Sequence, residues 1–404
     1  MSKVAILGYG TVGSGIYDVL TTNSDEIAKN AGEPVEVKYV LDLREFPGDP
    51  VGEVLVHDFD VILHDPEVSV VAEAMGGLKP AYSFAKAALE AGKSYCTSNK
   101  ELVEAYGADL IATAAAHNCN FLFEASVGGG IPIIRPMRES LTSDRILAIT
   151  GILNGTTNYI LTNMASGKKE FGEALAEAQQ LGYAERDPSA DIAGGDASRK
   201  IAILASLAFG KDVHFTEVYT EGIENIHPED FLYAKKLGMA IKLLSDTRTI
   251  RQHYYACVAP MLVDMNHPLY AVNSVYNGIM VQGNKVGLLM FFGSGAGKLP
   301  TASAVVSDIV EAVKNPGRHL PVHWSEEKLE LSDFKTSVKR FLVRVSGSLE
   351  EKKELCERLF APCKYLEVEE LTGEFGVLTR TMSETEFEEA AAQMPGLITR
   401  IRLA

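Results

Sequence analysis

The chain has 404 residues, beyond the size at which one hydrophobic core keeps growing, so two or three domains are expected and a single small module is excluded. Hydrophobic residues make up 46% and charged residues 23%, with 35 glycines and 16 prolines scattered along the chain, which is globular usage and excludes long disorder. The 38 Lys+Arg against 54 Asp+Glu leave a net charge of −16, which repels phosphate backbones and anionic headgroups, so neither nucleic acid nor a membrane is an expected partner.

Cys96, Cys119, Cys257, Cys356 and Cys363 are odd in number and contain no CxxC pair, a usage that fits a reduced, cytoplasmic chain without structural zinc. No run approaches the ~18 apolar residues of a membrane helix, and Val4–Leu7 is too short for a leader segment.

In chain order, Lys3–Leu7 is an apolar run stopped by Gly8-Tyr9-Gly10-Thr11-Val12-Gly13, after which Ile16, Val19 and Leu20 recur at helical spacing. Val35–Leu43, Asp60–Leu63, Val68–Ala74, Ser94–Thr97 and Asn120–Glu124 read as strand-like runs, with helical text at Tyr82–Ala91 and Leu102–Ala116. This alternation predicts an α/β fold: a Rossmann-type parallel sheet over residues 1–135, to which a helix at 302–313 returns. Residues 136–320 read as an α+β catalytic and dimerisation domain, with helices over Phe171–Leu181, Ala197–Phe209 and Asp230–Leu244 and a strand over Gln252–Val263. Residues 338–404 alternate in the order βαββαβ of a ferredoxin-like module and are expected to fold separately.

The chemistry begins at the GxGxxG of Gly8, Gly10 and Gly13, where a strand runs into a helix. Its first glycine permits the turn, its second lets a pyrophosphate approach and its third permits close helix packing, with the backbone of Thr11 and Val12 at the positive end of the helix. After the second strand, Asp42 and Arg44 point in opposite directions: an acid accepts from the ribose 2′-OH of NAD, whereas an arginine pairs with the 2′-phosphate of NADP or is only a solvated loop charge. Lys100 follows the strand end Thr97-Ser98-Asn99, the edge where such sheets bind ligands, and meets either a ligand or solvent.

From Gly182 to Lys200, Glu185, Asp187, Asp191 and Asp196 crowd a turn-rich segment beside Gly194-Gly195, which points to a cationic ligand and makes Glu185, Asp191 and Asp196 candidate substrate contacts. Asp196 and Lys200 stand i, i+4 on one helical face, either as a plain ion pair or as part of a site. Gly293-Ser-Gly295-Ala-Gly297 is a second phosphate-friendly loop, and Glu124 to Ile131 carries carbonyls for a cation or serves as a hinge.

Six blocks in order (Gly8–Gly13, Thr97–Leu102, Glu124–Ile134, Gly151-Ile-Leu-Asn-Gly-Thr-Thr-Asn-Tyr-Ile-Leu161, Gly182–Lys200 and Gly293–Asp308) together resemble the homoserine dehydrogenases. The resemblance implies reversible interconversion of L-aspartate 4-semialdehyde and L-homoserine with NADP or NAD, a step toward threonine, methionine and isoleucine, in a monofunctional form. It implies Lys200 as proton donor, Lys100 beside nicotinamide and substrate, and Glu185 and Asp196 holding the amino acid. Gly182 and Gly295 would line the cofactor, and a sodium ion would sit on Glu124, Val127, Gly129 and Ile131, mainly through main-chain oxygens. A homodimer or homotetramer is expected. Val338–Ala404 resembles an ACT-type regulatory domain for an amino-acid effector, though Val345-Ser-Gly-Ser-Leu349 lacks the usual Asp-x-Pro-Gly turn. Two competing readings are a nucleotide sensor without activity, against which Lys100 and Lys200 stand, and another amino-acid dehydrogenase, against which the Asn-Gly-Thr-Thr-Asn block stands.

Overall fold

The apolar runs at the start of the chain become six short strands: β1 (Ser2–Leu7), β2 (Val35–Leu41), β3 (Leu55–Val56), β4 (Val68–Glu73), β5 (Ser94–Thr97) and β6 (Phe121–Leu122). The computed structural model describes residues 1–167 and 169–404. The strands neighbour one another in the order β3-β2-β1-β4-β5-β6, every pair parallel, which is the doubly wound order with its switch point between β1 and β4. Val4, Ile6, Val70 and Ala72 pack against Ile16 and Leu20 of α1 (Thr11–Thr22) and against Val305 and Ile309 of the helix Lys298–Lys314, which thus joins the sheet from a distant part of the sequence. Contact is so close that a Cβ on Gly15 would lie 2.9 Å from the Lys298 carbonyl oxygen.

Two short elements differ from expectation. Phe59–Leu63 is a helix rather than a strand, because Asp58 caps it by accepting from the Asp60 N–H at 2.9 Å. Within the segment between α1 and β2, Ser24–Ala31 forms a further helix, ended by Gly32 at φ +84°.

The chain divides into two units, Met1–Ile146 with Ala202–Phe215 and Gln282–Leu329, and Leu147–Ile201 with Thr216–Val281 and Glu330–Ala404. In the second unit strands neighbour one another in the order Tyr276–Gly283, Ile146–Ile152, Met239–Ile250, His253–Asp264, Leu397–Leu403, Phe341–Ser346, Glu374–Leu378 and Lys364–Leu366. The helix expected over Asp230–Leu244 spans only Pro228–Leu237. Gly238, at φ +70°, stops it, and Met239–Ile250 pairs antiparallel with His253–Asp264 along its whole length.

The main elements of the C-terminal segment run βαββαβ, with a further short antiparallel pair of Val338–Lys339 and Met382–Ser383, and helices Leu349–Phe360 and Glu384–Ala391 cover a core of Phe341, Val343, Phe360, Phe375 and Phe387. It does not stand apart from the rest of its unit: Leu397–Leu403 pairs parallel with His253–Asp264 through Met261–Arg402 and Leu262–Leu403, making one continuous sheet. Among the described residues no helix is long and apolar enough to cross a membrane, and the five cysteines are free thiols.

Candidate active site

The glycine turn is built by sterics. Gly8 sits at φ +90°, where an L side chain is strained, and a Cβ on Gly13 would lie 1.8 Å from the Gly8 carbonyl oxygen. Gly13 is therefore required by the turn itself, while close helix packing falls to Gly15. No heavy atom lies within 4 Å of a Cβ built on Gly10, the N-cap of α1, so the N-terminal peptides of Thr11 and Val12 stay approachable for an anion.

Asp42 closes this turn from β2. Its carboxylate accepts from the Tyr9 N–H at 2.8 Å, from the Arg44 N–H at 3.0 Å and from Arg44 Nε and Nη2, both at 2.9 Å. Those donors use its four lone-pair directions, and the hydrogen bonds from Arg44 outweigh burial and hold the carboxyl far below the ordinary range. Arg44 itself is exposed.

At the ends of β4 and β5, a residue not singled out from sequence organises the backbone. Glu73 is fully buried and accepts from the N–H groups of Met75 (2.6 Å) and Gly76 (3.0 Å) and from the Thr97 hydroxyl (2.6 Å). The Thr97 oxygen accepts from the Asn99 N–H, and Asn99 caps the helix Lys100–Ala116 by accepting from the Leu102 N–H at 3.2 Å. Lys100 is the first residue of that helix, so its backbone is set by this chain of bonds. Burial pushes the Glu73 carboxyl up. An ionisable residue ending an otherwise apolar strand was the available signal.

The loop expected to carry a cation folds around Glu124. Its carboxylate accepts from the N–H groups of Ile133 (2.6 Å), Ile134 (2.8 Å) and Arg135 (2.7 Å), and so braces the loop rather than facing a ligand. Outside the short helix Ala125–Gly128, the Ser126 N–H donates to the Phe123 carbonyl and the Ile131 N–H to the Gly128 carbonyl, so the loop is a chain of main-chain carbonyls, the hard oxygen donors that a monovalent cation takes. Gly129, at φ +58°, has no room for a side chain, because a Cβ there would lie 2.3 Å from the Gly295 carbonyl oxygen.

The helix Gly195–Phe209, whose first residues to Ile201 belong to the second unit, places Asp196 and Lys200 one turn apart there. The Lys200 ammonium, largely buried, donates to Asp196 Oδ2 at 2.8 Å and to the Leu153 carbonyl at 2.9 Å. Asn154, also missed from sequence although it lies within the Gly151–Leu161 block, donates through Nδ2 to Asp191 Oδ1 at 2.7 Å and to Asp196 Oδ2 at 2.9 Å. Its own Oδ1 is fixed by accepting from the Thr157 N–H and hydroxyl. One amide thus holds Asp191, Asp196 and, through the shared oxygen, Lys200. The structure does not draw the exposed Glu185 side chain into these bonds: the loop is held through its backbone, Gln179 donating to the carbonyls of Glu185 and Arg186. Gly182, at φ +74°, turns the chain out of the helix Phe171–Gln180 with open space around it.

A dinucleotide turn in one unit and a largely buried lysine–carboxylate pair in the other define a nucleotide-dependent oxidoreductase. Family models described as "Homoserine dehydrogenase, NAD binding domain" and "Homoserine dehydrogenase" match residues 8–124 and 132–310. The chain is 43% identical over 316 residues to the homoserine dehydrogenase of Bacillus subtilis, covering 78% of this chain and 73% of that protein. Its fold matches a solved homoserine dehydrogenase from Thiobacillus denitrificans with TM-score 0.90 and 33% identity, covering 100% and 98% of the two chains. It also matches a hyperthermophilic archaeal homoserine dehydrogenase solved in complex with NADPH, at TM-score 0.65 and 26% identity over 77% and 97%. This chain belongs to the homoserine dehydrogenase family, and its activity is the NAD(P)-dependent interconversion of L-aspartate 4-semialdehyde and L-homoserine.

Proposed function

We propose that Lys200 exchanges the proton with the C4 oxygen of the substrate, while Asp191 and Asp196, with Glu185 from the neighbouring loop, hold its ammonium. The observation that carries this reading is the shared Asp196 oxygen: Lys200 and Asn154 both donate to Oδ2, which fixes the lysine ammonium beside the two carboxylates that Asn154 joins. Bound NAD(P)H supplies the hydride. In the reducing direction Lys200 donates its proton to the developing alkoxide and is left as an amine beside Asp196, ready to be reprotonated. Lys100, at a helix N-terminus whose peptides also favour anions, receives the substrate carboxylate. Gly8, Gly10, Thr11, Val12 and Gly13 hold the pyrophosphate, and Gly182 and Gly295 line the cofactor. A sodium ion on the main-chain oxygens of Glu124, Val127, Gly129 and Ile131 would stiffen the loop that abuts Gly295. Aspartate semialdehyde with either reduced nucleotide should give oxidation of the nucleotide and homoserine as product; turnover with another 2-amino aldehyde and none with this one would overturn the substrate assignment.

Both nucleotides are used. Arg44 covers Asp42, so its release opens either the carboxylate to a ribose hydroxyl or the guanidinium to a phosphate. Arg44→Ala should weaken NADP by about 1 kcal/mol, the scale of an exposed charge-assisted pair, and leave NAD unchanged or improved. Equal losses in the two Michaelis constants would remove Arg44 from nucleotide choice.

A homodimer or homotetramer fits the row of exposed apolar side chains Leu288, Met290 and Phe292 on the strand Gly287–Ser294, and the five free thiols fit a reducing compartment, the cytoplasm. An amino-acid effector of the ACT-like segment has less support: at its first turn the Lys352 ammonium already donates to the carbonyls of Ser346 (2.7 Å) and Pro395 (2.6 Å).

A further inference from the structure

The strand Leu397–Leu403 carries a charge cluster that the chemistry does not use. Arg402 is 0% exposed. It donates through Nε and Nη2 to Glu384 at 2.5 and 2.9 Å, through Nη2 to the Tyr219 hydroxyl at 2.8 Å, and through Nη1 to Glu221 Oε2 at 2.8 Å. Arg400 Nη1 donates to both Glu221 oxygens at 2.9 Å, and the Tyr219 hydroxyl donates to Glu221 Oε2 at 3.0 Å. Apolar residues of similar volume would stabilise such a position as well or better, so stability alone does not explain a cluster of this kind. What it does is fix one carboxylate, Glu221, from two arginines of a far part of the chain.

Glu221 lies next to the backbone that touches the lysine site. A Cβ on Gly222 would lie 2.2 Å from the Ile192 carbonyl oxygen and 2.7 Å from Ala193 Cα, and the Ile223 N–H donates to the Ile192 carbonyl at 2.9 Å. From the other side, a Cβ on Gly194 would lie 3.0 Å from Thr220 Cγ2. The Glu221 N–H donates to the Val258 carbonyl at 2.8 Å, so this backbone is itself seated on the sheet. Residues 192–194 make up most of the link 192–195 between Asp191 and Asp196, the two carboxylates that Asn154 joins.

We propose that Glu221 is a positioning residue: held by Arg400 and Arg402, it seats the Thr220–Ile223 backbone against Ile192–Gly194 and so sets the spacing of Asp191 and Asp196 that receives the substrate ammonium. This rests on the reading of those acids given above, and it gives the C-terminal segment a part in substrate affinity that needs no effector.

The test is steady-state kinetics on full-length Glu221→Ala, Glu221→Gln and Arg400→Lys, with hydrogen–deuterium exchange over residues 189–198. Glu221→Ala should raise the KM for homoserine roughly tenfold and speed exchange in that segment, with the nucleotide KM unchanged. Glu221→Gln keeps the length and one acceptor, and should recover part of the loss. Phe375→Leu, in the C-terminal core and away from the cluster, serves as a matched loss of thermal stability and should leave both Michaelis constants alone. A homoserine KM within twofold of wild type in folded Glu221→Ala, or an equal rise in Phe375→Leu, overturns the proposal. Should Glu221→Ala not fold, Arg400→Lys decides on the same criterion. If wild type failed to oxidise homoserine the substrate reading would fall, whereas the exchange measurement would still decide for or against the seating of residues 189–198.

Discussion

At the Gly8–Gly13 turn the fixing contacts span few residues: one carbonyl oxygen of Gly8 presses on Gly13, and the reach of an α1 N-terminus follows from that. At Lys200 the contacts come from everywhere in the unit: Leu153 and Asn154 from the end of one strand, Asp191 from a loop, and behind that loop a backbone seated by Glu221 and two arginines of the strand Leu397–Leu403. The first arrangement is steric, and the ligand proposed for it is the generic one, a pyrophosphate. The second is electrostatic and adjustable, and it is the place where the proposed reading has a substrate told apart from its neighbours. Generic recognition needs only local geometry, whereas specific recognition draws on long-range pairing whose strength depends on burial.

The sharpest way to break this contrast is to remove the lysine. Lys200→Ala should cut turnover by roughly 10² to 10⁴, the scale of a lost general acid–base, while nucleotide affinity measured by fluorescence stays put. Near-normal turnover would reduce Lys200 and Asp196 to an ordinary ion pair. Next comes Glu384→Ala, which leaves Arg402 buried beside a missing partner and should lower the stability of the second unit by about 3–5 kcal/mol in denaturant unfolding. A loss below about 1 kcal/mol would mean the cluster is solvated and the contrast is wrong.

Gly13→Ala should be smaller and opposite in kind. The clash with the Gly8 carbonyl, of overpacking size at about 1–3 kcal/mol, should weaken nucleotide binding tenfold or more and leave the homoserine KM at saturating nucleotide alone. Smallest is the response to acid. Burial alone would raise the Glu221 carboxyl, but the hydrogen bond from Arg400 and the charges of Arg402 and Arg400 bring it below its ordinary value. A depressed folded value means its contribution is complete above the unfolded glutamate pKa of about 4.3 and is lost as pH falls through the folded value. The melting-temperature difference between wild type and Glu221→Gln should therefore be flat from neutral pH to about pH 5 and shrink below it. A difference that instead grows toward acid would show the carboxyl to be raised.

How much of this could be read from the residues follows the same divide. The glycine turn, the parallel doubly wound class of the first sheet, and the i, i+4 pair of Asp196 and Lys200 are legible because each rests on patterns over a few residues. Asn154, Glu73 and Glu221 are not, because an amide or carboxylate is assigned its work by partners that only the folded chain brings near. Met239–Ile250 misled for a related reason. It is buried on both faces over most of its length, so it shows no alternation, and Leu243-Leu244 continued the helical rhythm of Pro228–Leu237 past the glycine that ends it. The C-terminal segment had its element order written in its text, yet nothing there announced that its last strand would be shared.

That shared strand has a consequence for how the protein is made. Met261 emerges from the ribosome long before Arg402, its partner across the sheet. The strand His253–Asp264 pairs with Tyr219–Thr220 at Cys257 and Val258, but until residues 397–403 arrive its Met261–Leu262 end waits unpaired and Glu221 is without its arginines, a short open edge of the sort on which nascent chains pair wrongly with one another. Translation rate between Asp264 and Leu397, and chaperones that shield that edge for its duration, should therefore bear on the yield of folded enzyme.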